Sequence, residues 1–159
     1  MNDIIIRKAT KKDLSELYKL DLKLYQYHEV LGDMYRIGAK AEQFMKEDVA
    51  KMVRSRTTTI FIAEIDSKLV GMAAAKIHKT FPGHSISRVG EVSDIYILPA
   101  YRKKDVASKL LGACDSWFVK NNIHELSVTI YDKNTEATAF WKKKGYTKHP
   151  MFMLRRELK

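Results

Sequence analysis

The fold is decided by the segment Ile95–Leu111, IYILPAYRKKDVASKLL, in which an apolar strand runs through a short basic turn into an amphipathic helix. Pro99 ends the strand because it has no N–H to donate to a ladder. The first-turn N–H groups of the following helix lack partners within the helix, and such groups attract anions. Arg102, Lys103 and Lys104 place positive charge at the same point. The segment therefore predicts an anion-binding turn between a strand and a helix.

Strand-like and helix-like patterns alternate on both sides of this turn. Short apolar or alternating runs predict strands at Ile4–Arg7, Thr57–Ile65, Leu69–His78, Arg88–Leu98, Glu125–Tyr131, Tyr146–Thr147 and Met151–Glu157. Apolar residues at helical spacing predict one helix that begins after Thr10 and three more, at Ala39–Arg54, Lys103–Asn121 and Asn134–Lys144. The segment Tyr25–Gly38 mixes aromatic and acidic residues with two glycines, and we interpret it as a loop.

The predicted element order is β α α β β β α β α β β. Linkers and internal repeats are absent, so we expect one domain over residues 1–159. An α/β fold, with a mixed sheet and helices on both of its faces, accommodates this order. Arg88–Leu98 and Glu125–Tyr131 flank a helix, and we expect these two strands to be parallel, joined by a right-handed crossover.

Composition narrows the possible partners. The chain has 159 residues and a net charge of +10, which suits an anionic partner such as a nucleotide cofactor. The basic residues are spread over many elements and no RNA-binding motif is present, so we expect no nucleic-acid partner. The histidines are scattered without a zinc-type spacing, so we expect no metal.

The same sequence indicates a cellular location. Cys114 is the single cysteine, which excludes an intramolecular disulfide and favours a reducing compartment. No apolar run approaches the roughly 18 residues of a transmembrane helix, so we expect no membrane partner. The first ten residues lack the features of a signal peptide. We therefore expect a cytoplasmic protein.

Two motifs resemble those of a known family, the GCN5-related N-acetyltransferases (GNAT). Residues 96–107, YILPAYRKKDVA, resemble its acetyl-CoA motif V-x-P-x-Y-R-x-x-G-x-G/A. At the expected distance, a second set resembles N-x-x-A-x-x-F-Y-x-x-x-G-F, namely Asn134, Ala137, Phe140, Trp141, Gly145 and Tyr146. The element order agrees with the family's mainly antiparallel mixed sheet. The resemblance implies an N-acetyltransferase that uses acetyl-CoA, with direct attack by a primary amine of a small molecule or peptide.

The resemblance also implies where the cofactor binds. The pantetheine arm would pair with the backbone of Ile95, Tyr96 and Ile97. The pyrophosphate would lie at the basic turn and helix start, against Arg102, Lys103, Lys104, Asp105, Val106, Ala107 and Ser108. The second motif would add Asn134, Ala137, Phe140 and Trp141.

Two residues depart from the family pattern. Asp105 stands where glycine is usual, and it places a side chain and a negative charge beside the phosphates. Trp141 stands where a tyrosine is frequent, and an indole N–H cannot protonate a departing thiolate as a phenol can. These departures favour an alternative function, a non-catalytic domain that binds or senses acyl-CoA.

An amine acceptor needs a base, since presenting an alkylamine as free amine at neutral pH costs roughly 4 kcal/mol. Glu91 and Asp94 are the candidate bases, because both lie on the strand that leads into the turn. Strand alternation places Glu91 on the same face as Ile97 and Asp94 on the other, unless a bulge intervenes.

Acceptor specificity is expected from Tyr25–Tyr35 and from the loop Thr80–Ser87. Tyr25, His28, Glu29 and Tyr35 combine aromatic and acidic groups that suit a cationic amine. The alternative is that these residues only pack an irregular loop. A homodimer is left open.

Overall fold

A computed structural model describes residues 3–32, 36–80, 82–83, 85–131 and 133–148. The chain separates into two compact units, residues 1–129 and 130–159, so the expectation of a single domain stays a prediction. The first unit contains β1 (Ile5–Lys8), α1 (Leu14–Leu31), α2 (Ala41–Arg54), β2 (Thr58–Ile65), β3 (Lys68–Lys79), β4 (Arg88–Ile97), α3 (Val106–Lys120) and β5 (Leu126–Ser127). The second contains α4 (Thr135–Lys143).

Within the described residues, the strands form one sheet in the order β1-β2-β3-β4-β5. The first four strands pair antiparallel, and β2 turns into β3 through Asp66 and Ser67 at φ values of 51° and 59°, the left-handed conformation of a tight hairpin. β5 pairs parallel with β4 after α3. The predicted mixed, mainly antiparallel sheet and its parallel strand–helix–strand unit are confirmed.

Helices cover both faces of this sheet, as predicted. On one face, α1 and α2 bury leucines and methionines against Ile60, Ile62, Met72 and Tyr96. On the other face lies α3. A Cβ added at Gly90 would come within 2.7 Å of Phe118 of α3, so this glycine lets α3 approach the sheet closely.

A capping box fixes the start of the first helical segment. The N–H of Thr10 donates to Asp13 (2.7 Å), and the N–H of Lys12 donates to the Thr10 hydroxyl (3.3 Å). Arg7 donates to Asp13 at 2.7 and 2.9 Å and to Glu64 of β2 at 2.6 and 3.0 Å. This network joins β1, β2 and α1, and it holds the pKa of Asp13 well below its usual range.

Two helix boundaries differ from the predictions. α1 continues to Leu31, so the interpretation of Tyr25–Gly38 as a loop is wrong in its first part. The helix continues because Leu24 and Tyr27 extend the apolar stripe that packs on the core. α3 begins at Val106 because Lys103 and Asp105 adopt left-handed φ values of 59° and 63°.

The C-terminal predictions need a similar correction. β5 is two residues long, and residues 146–148 are not a strand. The backbone of Tyr146 ends α4 instead: its N–H donates to Trp141 (3.1 Å), while the N–H of Gly145, at φ 89°, donates to Lys142 (3.0 Å). The predicted strand Met151–Glu157 lies outside the described residues.

Candidate active site

The turn after β4 has the geometry of an anion site. A single 3-10 turn, Pro99–Tyr101, follows the strand, and α3 begins after Asp105. The Asp105 side chain makes no capping hydrogen bond, so it does not occupy the first-turn N–H groups. Lys103 and Lys104 are exposed beside them. The helix start is therefore uncapped and lies next to positive charge.

Arg102 is held back against the sheet. Its Nε donates to the carbonyl of Ile97 (3.2 Å). Its guanidinium lies 5.5 Å from the ring centre of Tyr27 and 5.8 Å from that of Tyr96. These contacts orient the charged end of Arg102 at the point where β4 gives way to the turn.

The edge of β4 beyond the β5 contact is open. The parallel ladder contains two pairs, Gly90 with Leu126 and Glu91 with Ser127. Among the described residues, β4 from 92 to 97 has no ladder partner on that side. The backbone groups of residues 95–97 that point to this edge are thus available to an extended ligand, apart from the Ile97 carbonyl, which accepts from Arg102.

A bulge in β4 decides which side chains share a face. Ala74 of β3 pairs with Asp94 and Ala75 pairs with Val92, so Ser93 is an extra residue. Glu91 and Asp94 therefore both face α1 and α2. The expectation that Glu91 shares a face with Ile97 is wrong, since the bulge reverses the alternation between them.

Both carboxylates line a pocket of about 240 Å³ on the α1 and α2 face of the sheet. Its walls come from both helices and from β2, β3 and β4. The lining residues are Asp21, Tyr25, Asp48, Val49, Met52, Ile60, Met72, Ala74, Lys76, Glu91, Ser93 and Asp94. Four of them are acids and one is a lysine, so the pocket has a formal charge of −3 when all are ionised.

The acids differ in their partners. Glu91 lies 2.7 Å from Nε2 of His78, and Asp94 accepts a hydrogen bond from the Ser93 hydroxyl (2.6 Å). Asp21 is 8% exposed and has no hydrogen-bond partner within the described part of the chain. Burial, together with the charges of Asp94 and Asp48, raises the pKa of Asp21 to about 7.

Burial and the charges of the pocket also shift the pKa values of two other residues of α1. Burial and the neighbouring carboxylates raise the pKa of Tyr25 to about 12, so its phenol stays neutral. Burial lowers the pKa of His28, and the charge of Asp94 partly opposes that effect. The pocket is therefore a region of strong negative potential in a protein whose net charge is +10.

The predicted acceptor residues are only partly brought together. Tyr25 lines the pocket, and His28 lies close enough to Asp94 to respond to its charge. Glu29 is exposed and accepts a hydrogen bond from the N–H of Ile37 (3.1 Å), so it ties down the chain after α1. Tyr35 lies outside the described residues.

Sequence reasoning missed Asp21 and Asp48. A signal was present, because Asp21 lies four residues after Leu17 and four before Tyr25, within the apolar stripe of α1. Asp48 lies between Met45 and Met52 at the same kind of spacing. An acid inside an apolar stripe is a buried polar group that requires an explanation.

The second unit contains the residues of the second motif. The Asn134 side chain caps α4 by accepting from the N–H of Ala137 (3.0 Å), as predicted. Trp141 is buried, and its ring centre lies 5.2 Å from that of Phe140 and 4.9 Å from that of Tyr146, both edge-on. Trp141 is thus fixed by an aromatic cluster.

The sequence profile of the Acetyltransferase (GNAT) family matches residues 15–146. The chain belongs to this family. It is accordingly an N-acetyltransferase that uses acetyl-CoA. An uncharacterized N-acetyltransferase of Bacillus subtilis (strain 168), YhfO, is 22% identical over 148 residues, which cover 93% of each chain.

Other relatives and structures agree with the fold. An aminoglycoside N(6')-acetyltransferase type 1 of Salmonella typhimurium is 32% identical over 76 residues, 47% of this chain and 52% of that one. The structure of the aminoglycoside N-acetyltransferase AAC(6')-Iy in complex with CoA superposes with a TM-score of 0.81 at 21% identity, covering 99% of this chain and 96% of the other. The same enzyme in complex with a CoA–neamine bisubstrate analogue gives a TM-score of 0.79 at 22% identity, covering 98% and 99%.

In the part of the chain that the structure describes, no helix combines the length and the apolar character needed to cross a membrane.

Proposed function

We propose that the enzyme transfers the acetyl group of acetyl-CoA to a primary amine of a small molecule or peptide by direct attack, with the amine held in the acidic pocket. One observation carries this proposal. The bulge at Ser93 turns Glu91 and Asp94 toward the same pocket, on the strand whose open edge and basic turn suit the cofactor.

The residues present fit acetyl-CoA. We assign the open edge of Ile95, Tyr96 and Ile97 to the pantetheine arm, and the uncapped helix start to the pyrophosphate. That second assignment covers Arg102, Lys103, Lys104, Asp105, Val106, Ala107 and Ser108. Asn134, Ala137, Phe140 and Trp141 are assigned from the second motif. When bound, acetyl-CoA supplies the acetyl group as an activated thioester.

The pocket must first attract the amine as a cation and then remove a proton. Its negative charge favours the ammonium form, whereas the attacking nitrogen needs a free lone pair. We assign proton removal to Glu91, with Asp94 as the alternative, directly or through a water molecule. His78, 2.7 Å from Glu91, orients that carboxylate, and Ser93 orients Asp94.

Thiol release from acetyl-CoA, followed with a panel of amines, tests the proposal. The panel should contain alkylamines, peptides with a free lysine, and aminoglycosides, because similar structures are of aminoglycoside acetyltransferases. Amine-dependent thiol release with a mass gain of one acetyl group on the amine is the expected result.

The alternative predicted from Asp105 and Trp141, a non-catalytic acyl-CoA sensor, is disfavoured because the chain belongs to a family of acetyltransferases and its relatives are named N-acetyltransferases. A calorimetric titration with CoA, run beside the turnover assay, separates the two functions. Tight CoA binding without thiol release on any amine supports the sensor and contradicts acetyl transfer.

A further inference from the structure

Within the proposed acetyl transfer, on which this inference rests, we propose that the acceptor carries two cationic groups. One is the amine that is acetylated near β4. The other remains an ammonium group bound by Asp21 of α1 together with Asp48 of α2. Asp21 is then the residue that selects a diamine or polyamine over a monoamine.

The first support is that Asp21 is buried in the wall of the pocket and lacks a hydrogen-bond partner. Asp21 is 8% exposed, and no described residue forms a hydrogen bond with it. On its own helix the residues one turn away are Leu17, Tyr18, Leu24 and Tyr25, and among the described hydrogen bonds neither tyrosine hydroxyl donates to Asp21. A carboxylate that is largely withdrawn from water and has no hydrogen-bond partner is costly in the free protein, and a cation entering the pocket removes that cost.

The second support is how the charges in the pocket are distributed. Lys76 lies opposite Glu91 in the β3–β4 ladder, and His78 lies 2.7 Å from that carboxylate. Burial and the charges of Asp94 and Asp48 act together on Asp21, and Lys76 offsets them only in part. The helix side of the pocket has an excess of negative charge that one reacting amine does not neutralise.

The chemistry of the ligand follows from the same residues. The pocket combines an excess of carboxylates with apolar and aromatic wall residues, and this combination suits an organic cation. The ring of Tyr25 lies in the wall, and an aromatic face favours an ammonium group. The volume of about 240 Å³ is several times the ~30 Å³ of one water molecule, so a short carbon chain fits.

Steady-state acetylation tests the proposal with paired amines of equal length, 1,4-diaminobutane against butylamine and 1,6-diaminohexane against hexylamine. We expect the diamine of at least one pair to have a kcat/KM roughly tenfold or more above that of its monoamine. Asp21→Asn should lower kcat/KM for that diamine about tenfold, mainly through KM, and should affect the monoamine much less. Equal losses in kcat for both amines would assign Asp21 to proton removal and overturn the proposal.

Glu47→Gln is the matched control, since Glu47 is an exposed acid beside Asp48 on the same helix and pairs with Gln43 (2.9 Å). It removes the same charge without touching the pocket and should leave the diamine preference unchanged. A preference that falls equally in Glu47→Gln and Asp21→Asn reports overall charge and overturns the proposal.

Calorimetric titration with the same amines measures diamine binding directly, so it tests the role of Asp21 independently of acetyl transfer. At pH 7 Asp21 is near its pKa, so binding of a diamine should release a fraction of a proton that is absent in Asp21→Asn. Titrations in buffers of different ionisation enthalpy measure this release.

If no amine is acetylated, the proposed acetyl transfer is wrong, and the binding of diamines still decides the role of Asp21. If Asp21→Asn does not fold, a diamine-to-monoamine ratio near one in the unaltered protein overturns the inference.

Discussion

Replacing Asp21 by asparagine should stabilise the ligand-free protein more at pH 8 than at pH 5. Burial and the charges of Asp94 and Asp48 raise the pKa of Asp21 from 3.8 to about 7. The native state therefore holds a proton that the unfolded state has already released, and folding becomes less favourable as the pH rises from about 4 to about 7. Asparagine has no such titration, so the variant does not show this loss.

The size of the effect follows from the pKa difference. Each pH unit in the interval between the two pKa values changes the free energy of unfolding by about 1.4 kcal/mol for one proton. From pH 5 to pH 8, the advantage of the variant should grow by about 3 kcal/mol. At this chain length that corresponds to a change of roughly 6–12 °C in the Tm difference.

Urea unfolding of both proteins at pH 5, 6, 7 and 8 measures this trend directly. Titration of the remaining groups cancels in the difference between the two proteins. Glu47→Gln serves again as the control, and its difference from the unaltered protein should stay nearly constant with pH. A flat difference for Asp21→Asn, or one that shrinks toward pH 8, would refute the placement of Asp21 as a buried, unpartnered carboxylate.

Three further predictions concern other parts of the site and fold. Glu91→Gln should lower kcat about 10²–10³-fold at pH 7 in the amine acetylation assay, whereas Asp94→Asn should act mainly on KM. The reverse pattern would show that Asp94, and not Glu91, removes the proton. Asp105→Gly removes a side chain at a left-handed φ, together with its negative charge, and should tighten CoA binding about 2–5-fold, measured by calorimetry. Weaker binding of CoA by the variant would show that the Asp105 carboxylate contributes to cofactor binding. Asp13→Asn should lower the free energy of unfolding by about 1–2 kcal/mol near pH 7. This difference should fade as the pH falls below about 4, because the contacts of Asp13 that lower its pKa stabilise the fold only while the carboxylate is ionised. A loss independent of pH would indicate that the Arg7 contacts contribute little.

The strand, turn and helix start of residues 95–111 could be predicted from the sequence because the signals are local. A strand end, a proline and a helix start lie within one short segment, and Asp105 marks the position that requires a positive φ. The element types were predictable for the same reason, since each depends on a periodicity that one segment contains. The end of α1 was missed because its last two turns are amphipathic while their composition resembles that of a loop.

The acidic pocket could not be predicted because it is assembled from distant segments. Asp21 and Asp48 come from two helices and Lys76 from β3, and their proximity depends on how these elements pack. The sequence does place Asp21 within an apolar stripe, but that pattern does not reveal what the residue faces. The bulge at Ser93 could not be predicted from the sequence either, since bulges depend on the partner strand as well as on the bulged one.

β4 separates two surfaces of opposite charge. Beyond its C-terminal end, the basic residues 102–104 and the uncapped start of α3 suit the phosphates of CoA. On the face toward α1 and α2, Glu91 and Asp94 join Asp21 in a pocket that suits a cation. With regular alternation the two carboxylates of β4 would point to opposite faces, and one would meet the apolar packing of α3. Under the proposed function, the single extra residue allows one strand to present a backbone edge to the acyl donor and two acids to the amine.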